Sequence, residues 1–322
     1  MQAALRPLVS EQPAPAAADP FFPPQLLARL DKNGPRYTSY PTADRYHAGF
    51  GKQEYRQALQ QRRATSPDEP LSLYVHIPFC DSVCYYCACN KVVTRHHERA
   101  ARYLDALAQD IALHVRELGA GVPVSQLHFG GGTPTFLSDD ELTRLMQDLR
   151  AGFRFEPDAE ISIEVDPRTA TPARLAHLRQ LGFNRLSFGV QDFDQRVQVA
   201  VHRVQSFEDV RALMQSARAL GYDSVNVDLI YGLPLQTTES FARTISQVVT
   251  LRPDRIALYA YAHLPERFKP QRRINESDLP DRATRVGLLS SAIDGFLQQG
   301  YTYIGMDHFA LNTDALAVAK QR

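Results

Sequence analysis

The chain has 322 residues, 44% of them hydrophobic, with 36 basic side chains set against 36 acidic ones. That length can bury a large core without disulfides, in one large domain with appendages rather than two equal ones. Balanced charge leaves no global field for nucleic acid or an anionic membrane, and no window is apolar enough to span a bilayer, so neither is expected as a partner.

Residues 1–30, including EQPAPAAADPFFPP, are rich in Ala and Pro and read as mostly disordered, with a short helix over 25–30. Residues 31–70 read as an N-terminal strap and helix, the run PRYTSYPTA being extended because Pro35 and Pro41 disfavour helix. From residue 71 short β-branched or aromatic runs alternate with polar loops and amphipathic helices. Strands are predicted over 72–77, 126–129, 160–165, 185–190, 224–230 and 255–261. Between them, Tyr103, Leu104, Leu107, Ile111, Val115 and Leu118 share one helical face, and Leu142, Leu145, Met146 and Leu149 another. Ser138 with Glu141 forms a capping box, and Thr171 precedes Pro172 as an N-cap. Ser206 is a further N-cap, while Gly182 and Gly221 sit where helices end. Consecutive β-α units imply parallel strands with right-handed crossovers, in a doubly wound sheet or part of a (β/α) barrel. Either arrangement brings six loops to one rim. They carry the cysteine loop, Gly130 to Thr135, Glu164 to Asp166, Gln191 and Asp192, Asp228, and Tyr261 to His263.

Cys80, Cys84, Cys87 and Cys89 are the chain's only cysteines, in PFCDSVCYYCACN. Disulfides between them would close strained short loops, and no distant cysteine is available to staple. The C-x-x-x-C-x-x-C spacing can fix three irons of a four-iron cubane, leaving the fourth open to a non-protein ligand. An open iron is a reaction site, which favours an enzyme over an electron carrier. A structural zinc site using all four cysteines is the competing reading, although such sites usually come as two separated pairs. Clustered reduced thiols fit a reducing, cytoplasmic compartment.

GGGTPT at 130–135 lacks dinucleotide-fingerprint spacing. Its glycines allow a ligand close to the backbone, or simply make a tight βα turn. Glu164, Asp166, Gln191, Arg203 and Asp228 lie at or near strand ends, where carboxylates can hold ribose hydroxyls and Arg can clamp a carboxylate. Each could equally be a buried structural partner. His202 is a candidate proton donor. Lys269, Arg272 and Arg273 form either a solvated basic face or a clamp for a substrate with several carboxylates.

The cysteine spacing and GGGTPT resemble the radical S-adenosylmethionine superfamily. More narrowly, the chain is similar to the oxygen-independent coproporphyrinogen III oxidase (coproporphyrinogen dehydrogenase) family. GPRYTSYPTA (34–43), LYVHIPFC (73–80), CACNK (87–91), HFGGGTPTFL (128–137), SIEVDPR (162–168), FGVQDF (188–193), NVDLIYGLP (226–234) and YIGMDHFA (303–310) carry that similarity. It implies an α/β fold, a partial (β/α)6 TIM-like barrel of the radical SAM type over 71–262, after an N-terminal extension. It also implies a [4Fe-4S] cluster on Cys80, Cys84 and Cys87, with Cys89 not a ligand, and two S-adenosyl-L-methionine molecules. Tyr74, Gly131 and Glu164 would lie near the first; Tyr86, Gly132, Thr133, Gln191, Arg203, Asp228 and Ala262 would contact the second. Arg36, Tyr37 and Tyr40 would order or gate the substrate site.

By the same resemblance, a 5′-deoxyadenosyl radical removes hydrogen β to a propionate carboxyl group. Two such turns would take coproporphyrinogen III to protoporphyrinogen IX in a monomeric enzyme fed by a low-potential donor such as flavodoxin or ferredoxin. Members of the family continue into a helical C-terminal domain, so residues 263–322 are expected to be the start of a truncated region. Poor solubility and little full turnover are then expected of the chain alone. A related haem chaperone and a non-functional fragment are the further alternatives.

Overall fold

The computed structural model describes residues 22–30, 42 and 45–321. In chain order the first elements are α1 (Pro24–Leu30), α2 (Lys52–Thr65), β1 (Leu71–Ile77), β2 (Phe79–Cys80), β3 (Val92–Val93) and α3 (Glu98–Leu118). They are followed by β4 (Val122–Gly131), α4 (Asp139–Gly152), β5 (Phe153–Val165), α5 (Pro172–Gln180), β6 (Arg185–Gln191), α6 (Gln195–Ala200) and α7 (Phe207–Ala219). The remainder comprises β7 (Ser224–Tyr231), α8 (Thr238–Leu251), β8 (Arg255–Ala260), α9 (Arg282–Gln298), β9 (Tyr301–Gly305), β10 (His308–Leu311) and α10 (Ala315–Lys320).

The main sheet runs β1-β4-β5-β6-β7-β8-β10-β9. Its first six strands pair in parallel with their sequence neighbours, without the reversal of order that defines a doubly wound sheet. This is the partial (β/α)6 barrel. Beyond β8 the sheet continues through β10 and β9, both paired antiparallel.

Two strands begin earlier than predicted. β4 and β5 pair from Val122↔Phe153 to Val124↔Phe155, then resume at Gln126↔Glu160. The residues between Phe155 and Glu160 bulge out of the ladder, and Pro157, which has no N–H to donate, sits among them.

Strand alternation separates the two faces. Val75, Ile77, Leu127, Phe129, Ile161, Ile163, Phe188, Val227 and Leu229 are buried against Leu142, Leu145, Leu175, Leu213, Phe241 and Val248 of the helices. The alternate residues are polar and line the inner face. Tyr74, His128, Ser162 and Arg185 occupy one register layer across β1, β4, β5 and β6. The predicted caps form: Ser138 Oγ accepts from Glu141 N at 3.2 Å while Glu141 returns a 2.8 Å contact to Ser138 N. Thr171 and Ser206 cap α5 and α7. Gly182 and Gly221 take positive φ at 98° and 74°, the left-handed backbone that ends the preceding helices.

At the N-terminal ends of the strands Arg185 faces Glu160 at 3.4 Å and Asp314 at 3.5 Å. Arg255 Nε donates to Asp314 Oδ1 at 2.9 Å, and Asp314 also caps α10. Two guanidinium groups meet two carboxylates there, closing that end with balanced charge.

Candidate active site

β2 and β3 pair in parallel across the base of the cysteine loop, with Val92 N donating to Pro78 O at 2.7 Å and Thr94 N to Cys80 O at 2.9 Å. Lys91 Nζ reaches the carbonyls of Cys87 and Cys89 at 3.2 and 3.4 Å. From the far side Tyr85 N donates to Val201 O, and His202 Nδ1 contacts Val83 O, both at 2.9 Å. The His202 ring stacks on Tyr85 with centroids 5.0 Å apart. The ring of His202 is thus engaged in holding the loop.

The thiols differ in their surroundings. Thr133 Oγ1 donates to Cys80 Sγ at 3.5 Å, yet burial pushes the Cys80 thiol up to about 11. A hydrogen bond from Cys89 brings Cys87 down to about 6 and raises Cys89 in turn. Cys84 Sγ receives Arg203 Nη1 at 3.5 Å and Arg168 Nη2 at 3.6 Å. Both arginines also bind the buried Asp166, at 3.1 and 2.7 Å. Burial alone would raise the Asp166 carboxyl, but the guanidinium groups of Arg203 and Arg168 hold it below the ordinary carboxylate range.

The glycine run lies under this loop. Gly132 N and Thr133 N donate to Ile77 O and Phe79 O, each at 2.8 Å, so these N–H groups are spent on the fold. A Cβ on Gly132 would come within 2.6 Å of Phe79 O and 2.7 Å of Pro78 O, while Gly131 has φ of +117°. Close approach of the β1 extension therefore accounts for these glycines, whatever else binds above them. Gly131 N donates to Glu164 Oε2 at 3.1 Å, and Glu164 Oε1 stands 3.4 Å from His128 Nε2. Tyr74 stacks on His128 and lies 3.1 Å from His76 Nδ1. The polar chain from His76 through Tyr74 and His128 to Glu164 lines the inner face beside the cysteines.

Asp228 accepts from Ser187 Oγ at 3.0 Å and Asn226 Nδ2 at 2.7 Å, and burial with Glu164 nearby pushes it up to about 6. Gln191 has φ of 69° at a break in the β6–β7 register, and a Cβ on Gly189 would collide with its amide. Gln191 Oε1 and Arg203 Nε are buried without a hydrogen-bond partner. Buried Gln271 joins the carbonyls of Tyr86 and Ala262, donating at 3.0 and 3.1 Å. Arg273 lies over the Tyr85 ring at 5.2 Å, whereas Arg272 Nε is engaged by Pro265 O at 2.9 Å. Arg36, Tyr37 and Tyr40 lie outside the described residues.

Asp192 departs from the rim expected of it. It is 1% exposed and turned toward α8, accepting from Thr244 Oγ1 at 2.7 Å and Gln236 Nε2 at 2.6 Å. Gln191 beside it takes φ of 69° at the register break where β6 ends, so regular strand alternation does not carry on to Asp192. Arg168 is the side chain of this cluster that the sequence did not single out. Its signal was the second charge in the Asp-Pro-Arg run just after β5. Among the described residues, no three His, Cys, Asp or Glu groups converge tightly enough for a single metal ion. Three thiols with cationic and hydroxyl donors behind them, and two unpaired polar atoms nearby, fit a larger sulfur-ligated cluster beside a polar organic cofactor.

Residues 74–248 match the family described as the Radical SAM superfamily. The chain belongs to that superfamily. It is 53% identical over 296 residues to the oxygen-independent coproporphyrinogen III oxidase of Escherichia coli, and 52% over 298 residues to that of Pseudomonas aeruginosa. Each comparison covers 92% of this chain and 64% of the relative. The solved structure of E. coli coproporphyrinogen III oxidase (HemN), described as a radical SAM enzyme, superposes with a TM-score of 0.85 at 53% identity. That superposition covers 88% of this chain and 64% of the other, so the chain spans less than two thirds of the length of these relatives.

Proposed function

We propose that this chain carries the radical-generating barrel of an oxygen-independent coproporphyrinogen III oxidase. Such an enzyme converts two propionate side chains of coproporphyrinogen III to vinyl groups in haem biosynthesis. The observation that carries the reading is the cysteine loop itself. Cys80, Cys84 and Cys87 stand at the C-terminal end of β1, with Cys84 Sγ between two guanidinium groups. In this reading Cys80, Cys84 and Cys87 hold a [4Fe-4S] cluster, and Cys89 is left to hydrogen-bond Cys87. The cluster and S-adenosylmethionine, when bound, supply a carbon-centred radical able to take hydrogen from an unactivated carbon.

The protein's part is to position and to keep water out. Tyr74, Gly131 and Glu164 line the inner face where the first S-adenosylmethionine would lie, the Glu164 carboxylate being suited to ribose hydroxyls. Gln191, Arg203 and Asp228, with Tyr86, Gly132, Thr133 and Ala262 around them, would take the second. The unpaired Gln191 Oε1 and Arg203 Nε are the two atoms such a ligand would satisfy. Arg273, held over Tyr85 beside the loop, is a cation available to a substrate carboxylate. An external low-potential flavodoxin or ferredoxin would deliver electrons to a cytoplasmic monomer.

The test is anaerobic incubation of cluster-loaded protein with S-adenosylmethionine, a strong reductant and coproporphyrinogen III. Release of 5′-deoxyadenosine is expected, whether or not turnover of the tetrapyrrole is complete. Full cluster loading without 5′-deoxyadenosine release would refute the reading.

A further inference from the structure

The arrangement around Cys84 carries an inference that rests on the cluster reading above and goes beyond it. Buried Asp166 and Arg203 form a triad with the half-buried Arg168, two guanidinium groups on one carboxylate. Arg168 is fixed from several sides. Its backbone N and Nε donate to Asp166 Oδ1 at 3.1 and 3.0 Å, and Nη2 donates to Asp166 Oδ2 at 2.7 Å. Nη1 points at His202 O, 3.5 Å away, and Nη2 is also 3.6 Å from Cys84 Sγ. An arginine needed only to neutralise Asp166 would be satisfied by the bidentate pair. This one is also aimed at a sulfur, although Arg203 already contacts the same carboxylate and the same sulfur.

We infer that Arg168 is a positioning residue that raises the reduction potential of the cluster by hydrogen-bonding the Cys84 sulfur. Reduction adds negative charge to a thiolate-ligated cluster, so a fixed N–H donor and an incompletely neutralised cation stabilise the reduced form more than the oxidised one. Because Asp166 holds the guanidinium before any electron arrives, little reorganisation accompanies the charge change. Asp166 acts through Arg168 and Arg203 and has no contact with sulfur of its own among those described.

The experiment is an anaerobic redox titration, followed by electron paramagnetic resonance, of the cluster-loaded full chain and of Arg168→Met and Arg168→Lys. For Arg168→Met the midpoint should fall by at least about 59 mV, a tenfold change in a one-electron equilibrium. Arg168→Lys, which keeps the charge but loses the planar fork, should fall by less. A wild-type midpoint in Arg168→Met overturns the inference, as does lost iron with an unshifted potential in the remaining clusters, the mark of a merely structural loop holder. Should Arg168→Met take up no cluster, Arg168→Lys decides alone: a lowered midpoint supports the hydrogen bond, an unchanged one overturns it. A wild-type chain giving no four-iron signal would instead defeat the cluster reading itself.

Discussion

The two ends of the barrel strands each hold a pair of arginines, and they treat them differently. At the N-terminal ends Arg185 and Arg255 face Glu160 and Asp314, cation for anion, and the group caps a helix. At the C-terminal ends Arg168 and Arg203 share one carboxylate and each also turns an N–H to a cysteine sulfur, while Arg203 Nε and the nearby Gln191 Oε1 lack partners. The first cluster sets two cations against two anions, although Arg185 Nη2 makes no hydrogen bond and only faces Asp314 at 3.5 Å. The second puts two cations on one carboxylate, an excess of positive charge that a bound anionic group would offset.

The difference is broken most sharply at the cysteines. Cys84→Ala should reduce iron uptake from about four per chain to near zero, whereas Cys89→Ala should keep most of it. Iron assay with the visible absorbance of reconstituted protein checks both. Asp314→Ala should act in the opposite sense. It leaves Arg185 and Arg255 without their shared carboxylate and should cost about 3 kcal/mol in urea unfolding, yet leave iron uptake unchanged. A smaller effect concerns pH. Asp228 is raised from an ordinary value of 3.8 to about 6, chiefly by burial. A carboxyl raised on folding favours the folded state fully below its unfolded value, and that stabilisation is lost as pH climbs through about 6. Unfolding midpoints should therefore decline between about pH 4 and 6 in the wild type relative to Asp228→Asn. Parallel profiles for the two proteins would remove the assignment.

Much of this was legible in the sequence because it depends on local chemistry. The six predicted strand runs all became strands, and the caps at Ser138, Thr171 and Ser206 depend only on residues within one helical turn. The cysteine spacing is likewise local. What escaped depends on contacts between distant segments. The early part of β5 was hidden by Pro157 and its acidic neighbours, which a bulge tolerates and a regular ladder would not. β10 gains its strand character from the edge of β8, and β9 from the edge of β10. Asp192 looked like its neighbour Gln191, and only the position of α8 shows it to be a buried acceptor. Arg168 became significant once folding placed Cys84, 84 positions away, against its guanidinium.

The central claim is that three cysteines hold a four-iron cluster with one iron left for a ligand from outside the protein. Mössbauer and electron paramagnetic resonance spectra of anaerobically reconstituted chain, with and without S-adenosylmethionine, test it directly. The account predicts one iron site distinct from the other three, whose signal changes when the nucleoside binds. Four equivalent sulfur-ligated irons, indifferent to S-adenosylmethionine, would contradict it.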